Sequence, residues 1–191
     1  DLEVLYFYDP VDEFVFNSLR KYKDFEFKAV DSVEFKNLDK FKDVAEKEEP
    51  KEKLSKDDAK QFDSLLSKMK SILGDKVTDV KESKRLKGSP SCLVSAEDGL
   101  TASMHKILKM TSKDTAPQKK VFEVNKDNAL IRNLIEIFKK SPDDDYIKNT
   151  TEQLYEAALL LEGNLDDPHN LVARMNKIME MSSQLYKESV K

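Results

Sequence analysis

One cysteine, Cys92, stands among the 191 residues. That excludes a disulfide framework and a zinc site built from cysteine. Histidine is almost as scarce, and His105 and His169 lie too far apart in sequence to suggest a histidine-based metal centre. The four glycines (Gly74, Gly88, Gly99 and Gly163) are scattered, so neither a phosphate-cradling loop nor a dinucleotide fingerprint can be written. No apolar run approaches the ~18 residues a membrane helix needs, and no signal-peptide pattern opens the chain. Together these absences leave most familiar enzyme classes without support. The chain also begins at Asp1 with no methionine, which reads as a segment of a longer protein.

What is plentiful is charge. Asp, Glu, Lys and Arg make up 37% of the sequence, against 39% hydrophobic residues. The signs nearly cancel, leaving a net charge of −4 and a pI near 5.4. A nucleic-acid partner would call for a basic stripe, so none is expected. The richest lysine and glutamate stretch runs from Lys36 to Lys60 and contains Pro50, the composition of a solvated linker or a charged helix. It divides the chain into residues 1–50 and 51–191.

In the first part, Leu2 to Tyr8 is rich in β-formers and reads as a strand. Asp9 and Pro10 open a helix, with Val11, Phe14, Val15, Leu19 and Tyr22 on one face. Phe25, Phe27 and Ala29 alternate with polar residues as a second strand. The expectation is a small βαβ unit with parallel pairing. In the second part, Ser55 caps a helix whose apolar face carries Phe62, Leu65, Leu66, Met69, Ile72 and Leu73, and Gly74 ends it. Val77 to Leu86 and Ser91 to Ser95 read as two strands joined across Lys87-Gly88-Ser89-Pro90.

Leu100, Met104, Ile107 and Leu108 recur at helical spacing, and Thr111 to Lys120 reads as a loop. Val121 to Val124 is a short strand, capped by Asn125 into a helix bearing Leu130, Ile131, Leu134, Ile135 and Phe138. Two long helices close the chain, one from about Asp144 to Glu162 and one restarting at Asp167-Pro168. Their short connection through Gly163 predicts an antiparallel hairpin. The fold class is α+β: a βαβ segment, then a mixed domain of short strands and helices ending in the hairpin.

Several of these segments resemble the heat-shock protein 90 chaperones. Ser83-Lys84-Arg85-Leu86 followed by Gly88-Ser89-Pro90-Ser91-Cys92-Leu93-Val94 is similar to a strand pair of that family. Gly99 to Lys109 resembles its short "GxxAxMxxIxK" helix. Leu154 to Leu160, then Leu165-Asp166-Asp167-Pro168, then Ala173-Arg174-Met175-Asn176 looks like its C-terminal dimerisation hairpin. Glu3-Val4-Leu5 with Asp9 to Glu13 matches the end of its middle domain. The chain ends without the acidic "MEEVD" tail of cytosolic eukaryotic members, which points to the bacterial branch.

The resemblance implies a cytoplasmic chaperone segment that forms a homodimer through a four-helix bundle. It implies a dimer interface of Leu154, Ala157, Ala158, Leu161, Leu171, Met175, Ile178 and Met179. It also implies contact with unfolded or partly folded client proteins through Leu100, Met104, Ile107 and Leu108, a stripe that spacing alone would place in a core. The family's ATP-binding domain, with its ATP and magnesium, has no counterpart in these residues, so no catalytic residue, cofactor or metal is assigned. Two rival classes stay open: a small carboxylate- or metal-assisted enzyme, and a passive dimerising adaptor. Cys92, in a strand, reads as a buried and inert thiol.

Overall fold

A computed structural model describes residues 3–28, 30, 54–95 and 120–190. The first helix, α1 (Pro10–Leu19), starts where the sequence places it. Asp9 and Asp12 form a reciprocal capping box, and the Asp9 carboxylate accepts from the Val11 amide at 3.0 Å. The rest of this segment departs from the expected βαβ unit. Residues 3–8 form no strand. Instead β1 (Lys21–Tyr22) and β2 (Phe25–Glu26) pair with each other, antiparallel. Arg20 and Lys23 adopt positive φ, 55° and 53°, so the chain reverses as soon as α1 ends. Closing that tight local turn costs less entropy than bringing in the distant residues 3–8. The latter are held by rings instead: Phe16 stacks on Phe7 at 4.1 Å and meets Phe27 edge-on at 4.7 Å.

The second segment is built on helix α2 (Lys56–Leu73), capped by Ser55 and Asp58 as a capping box. Its buried stripe of Phe62, Leu65, Met69 and Leu73 matches the helical period. A three-stranded sheet follows: β3 (Asp79–Glu82), β4 (Ser91–Ser95) and β5 (Lys120–Val124). The strand order is β3-β5-β4, with β5 parallel to β3 and antiparallel to β4. β3 and β4 are thus joined in sequence across the turn at 87–90, as expected, but are not neighbours in the sheet. Two strand spacings separate them, about 10 Å, and residues 83–90 bridge that gap. Asn125 holds the bridge, its side-chain amide donating to the Ser89 carbonyl at 3.0 Å while its backbone amide donates to Pro90 at 2.8 Å.

That duty displaces Asn125 from the cap expected of it. The N-cap of helix α3 (Ala129–Lys140) is Asn128, whose side chain accepts from the Leu130 amide at 2.9 Å. Helix α4 (Asp145–Leu161) is capped by Asp144, and α5 (His169–Ser189) completes the described chain.

The core joins α2, α3 and α4 to the sheet face bearing Val80, Leu93, Phe122 and Val124. Ile131, Leu134, Ile135 and Phe138 of α3, and Ile147 of α4, fill it. Ion pairs at the rim tie the helices together: Lys139 meets Asp58, and Lys68 meets Asp143 at 2.5 Å. On the opposite sheet face Val94 and Val121 are buried with Cys92 beside them. There the Glu123 carboxylate is held by the Arg85 guanidinium at 3.0 Å and the Ser83 hydroxyl at 2.9 Å.

Candidate protein-binding surface

The α4–α5 hairpin is shaped at its bend by three local devices. Gly163, at φ 69°, supplies the left-handed residue that lets a helix end. Its amide donates to Leu160 at 3.0 Å, and the Asn164 amide donates to Leu159 at 2.9 Å. Asp167 starts the next helix by accepting from the His169 amide at 2.9 Å. That hydrogen bond, with the His169 ring beside it, holds the Asp167 carboxyl below the ordinary carboxylate range. Helix α5 begins at His169, one residue after the proline that the sequence suggests as its first position.

Two anchors fix the start of α5 on α4. Leu171 is only 3% exposed. The Arg174 guanidinium bridges Glu152, at 3.3 Å, and Glu156. The two acids lie four residues apart and so share one side of α4. Beyond Arg174 the situation changes. Every described residue of α5 from Met175 onward is exposed except Ile178, which is half-buried.

That bare stretch is not polar. At 3.6 residues per turn, Leu171, Val172, Met175, Ile178, Met179, Leu185 and Tyr186 fall within roughly 140° of the helix circumference. Lys177, Glu180, Lys187 and Glu188 fall on the other side. The stripe is thus buried at Leu171, half-buried at Ile178, and exposed at Val172, Met175, Met179, Leu185 and Tyr186. Leu160 and Leu161, at the end of α4, add to the open surface, Leu161 at 88% exposure.

The residues expected at a dimer interface therefore divide. Leu154 (7% exposed), Ala158 (6%) and Leu171 lie in the chain's own packing. Leu161, Met175 and Met179 are exposed, and Ala157 and Ile178 are half-buried. Leu100, Met104, Ile107 and Leu108 lie outside the described residues, as does most of the charged stretch that divides the chain. Sequence reasoning did not find the pairing of Arg174 with Glu152 and Glu156, nor the contact between Lys120 and Glu162 at 2.6 Å. The acids at 152 and 156 were a usable signal for the first. Nothing local signals the second.

Chemistry elsewhere is muted. Burial, reinforced by the Glu123 charge, pushes the Cys92 thiol up to about 12. Among the described residues no group of three or more His, Cys, Asp or Glu side chains is placed to hold a metal ion. No helix among them is long and apolar enough to cross a membrane.

The fold and this surface describe an α+β protein that presents an open apolar helix face. The chain belongs to the Hsp90 protein family, whose model matches residues 1–191. It is 46% identical over 187 residues to the chaperone protein HtpG of Oleidesulfovibrio alaskensis, covering 98% of this chain and 29% of that protein. To the chaperone protein HtpG of Nitratidesulfovibrio vulgaris it is 42% identical over 186 residues, covering 97% of this chain and again 29% of that protein. A third relative of the same name, from Chlorobium phaeovibrioides, is 37% identical over 183 residues. The chain spans less than a third of the length of these relatives.

Proposed function

We propose that this chain is the C-terminal dimerisation module, with the end of the middle domain, of a bacterial Hsp90-family chaperone acting in the cytoplasm. The observation that carries the proposal is the α5 stripe, buried at Leu171 and exposed at Met175, Met179, Leu185 and Tyr186. A second copy of the same hairpin is the occupant whose shape and chemistry fit it. Two apolar stripes meeting about a two-fold axis form a four-helix bundle. A specific interface of about 1,200–2,000 Å² in total is within reach of two exposed helix faces of this length.

In this reading the interface is made by Met175, Met179, Leu161 and the half-buried Ile178 and Ala157. Leu154, Ala158 and Leu171 act one layer below, holding the hairpin on its own domain. The module performs no chemistry and needs no cofactor; it raises the effective concentration of one chaperone arm near the other, where the whole protein uses ATP and magnesium. Client proteins are held in part by Leu100, Met104, Ile107 and Leu108.

Light scattering on the chain across a dilution series tests the proposal. A mass of twice 22.0 kDa that falls toward one chain on dilution supports it. A monomer at every concentration contradicts it, and turnover of a substrate by a metal-free sample would favour the enzyme alternative. Dimers that hold no unfolded protein would favour the passive adaptor.

A further inference from the structure

The sulfur atoms of this protein are unevenly distributed. Of its six methionines, three fall within seven residues of α5: Met175, Met179 and Met181, which are 46%, 63% and 47% exposed. Met69 is fully buried in the core, and Met104 and Met110 lie outside the described residues. The thiol of Cys92 stays protonated well above neutral pH, and a protonated thiol is a poor nucleophile toward peroxide. Among the described residues, then, the accessible and oxidisable sulfur is concentrated on one helix. Met175 and Met179 sit inside its apolar stripe, and Met181 lies about 40° beyond its Leu185 edge.

We propose that Met175, Met179 and Met181 form an oxidation-sensitive site at which hydrogen peroxide separates the two copies of the chain. The inference rests on the proposal that α5 is the dimer face. In the reaction a lone pair on the thioether sulfur attacks one peroxide oxygen. The O–O bond breaks as the S–O bond forms, and water leaves after proton transfer. Sulfur loses two electrons and peroxide gains them. The product is a polar sulfoxide where an apolar side chain had stood. In the separated chain the new oxygen is hydrated. In the dimer it enters a seam whose stripe offers one side-chain donor per copy, the Tyr186 hydroxyl, against the two new oxygens on Met175 and Met179, and burying an unpaired acceptor is unfavourable. Both copies carry the change, so the effect acts twice at one interface.

Association should in turn slow oxidation, because a seam that covers the sulfurs keeps peroxide from them. The three methionines should react faster in dilute solution than in concentrated solution at equal peroxide. Sulfoxides are also returned to thioethers by methionine sulfoxide reductases, so the change is reversible in kind.

The test uses the 191-residue chain with hydrogen peroxide. Peptide mass spectrometry locates the added oxygens, light scattering measures the dimer, and circular dichroism follows helix content. The expected result is oxidation at all three positions, unchanged helix content, and a dissociation constant raised about tenfold or more. The variant Met175→Leu/Met179→Leu/Met181→Leu keeps apolar volume, and its dissociation constant, measured against its own untreated sample, should not rise in peroxide. An oxidised chain that dimerises as before overturns the proposal. So does a leucine variant that dissociates equally, which would move the sensitivity elsewhere, or helix loss accompanying dissociation, which would make it unfolding. A chain already monomeric before peroxide would fail the dimer proposal itself and this inference with it.

Discussion

Lys120, the first residue of β5, places its ammonium 2.6 Å from the carboxylate of Glu162, just past the end of α4, and its side chain is only 7% exposed. The pair links the central strand of the sheet to the bend of the hairpin, two elements 42 residues apart. Its members are not equivalent. Glu162 is 20% exposed and also accepts from the Asn164 side chain at 3.2 Å, so it keeps partners if Lys120 is lost. Lys120 has no comparable access to water.

Glu162→Gln should therefore cost more than Lys120→Met. Removing the acid strands a buried cation, a loss of about 3 kcal/mol. Removing the lysine leaves a carboxylate that can turn to water, a loss of about 1 kcal/mol. Denaturant unfolding of the two variants reads the difference directly. Equal losses, or a larger loss for Lys120→Met, would show that the pair is not buried as described.

Acid should loosen the helix rim. The Lys139 side chain, with help from Ser55, holds the Asp58 carboxyl below its ordinary value of 3.8, and Lys68 does the same for Asp143. A lowered folded-state value means stabilisation that is complete above the ordinary value and lost as pH falls through the lowered one. Asp58→Asn should thus melt below the parent at pH 7, and the gap should close as pH drops under about 3.8. A gap that persists at pH 2 would assign the loss to the helix cap rather than to charge. Melting temperatures of the two proteins between pH 7 and pH 2 settle it.

Much of this architecture is legible in the sequence because it is local. Phe62, Leu65, Met69 and Leu73 repeat at the helical period, and the helix is there. Ser91 to Ser95 is a strand, and Ile131, Leu134, Ile135 and Phe138 are buried together. What escaped depends on distant partners. No pattern in Val80 or Leu93 says that Phe122, some thirty to forty residues on, will sit between them. The two-residue pairing of Lys21–Tyr22 with Phe25–Glu26 turns on positive φ at Arg20 and Lys23, residues that seldom adopt it.

The hairpin shows the same limit at the candidate site. Periodicity groups Leu154, Ala158 and Leu161 on one helix, but it cannot say what each one meets. Leu154 and Ala158 are covered by their own chain, while Leu161 lies one turn further on, at the exposed end of α4.

Client contact is tested by the variant Met104→Ala/Ile107→Ala/Leu108→Ala. If these residues form an exposed face, melting should scarcely change while capture of an unfolded protein weakens. If they were core, each truncation would cost ~2–5 kcal/mol and the melting temperature would collapse. Unchanged melting with undiminished capture would place client binding elsewhere.

In the proposed dimer two copies meet along the exposed part of the α5 stripe, and Met175→Glu/Met179→Glu places charge in that seam alone. Both side chains are exposed in the single chain, so the charges should leave the fold intact and disrupt only an interface. The measurement is light scattering across a dilution series beside the unsubstituted chain, with helix content followed by circular dichroism. The expected result is a helical protein of 22.0 kDa at concentrations where the parent has twice that mass. A variant that keeps both its helix content and the doubled mass would contradict it.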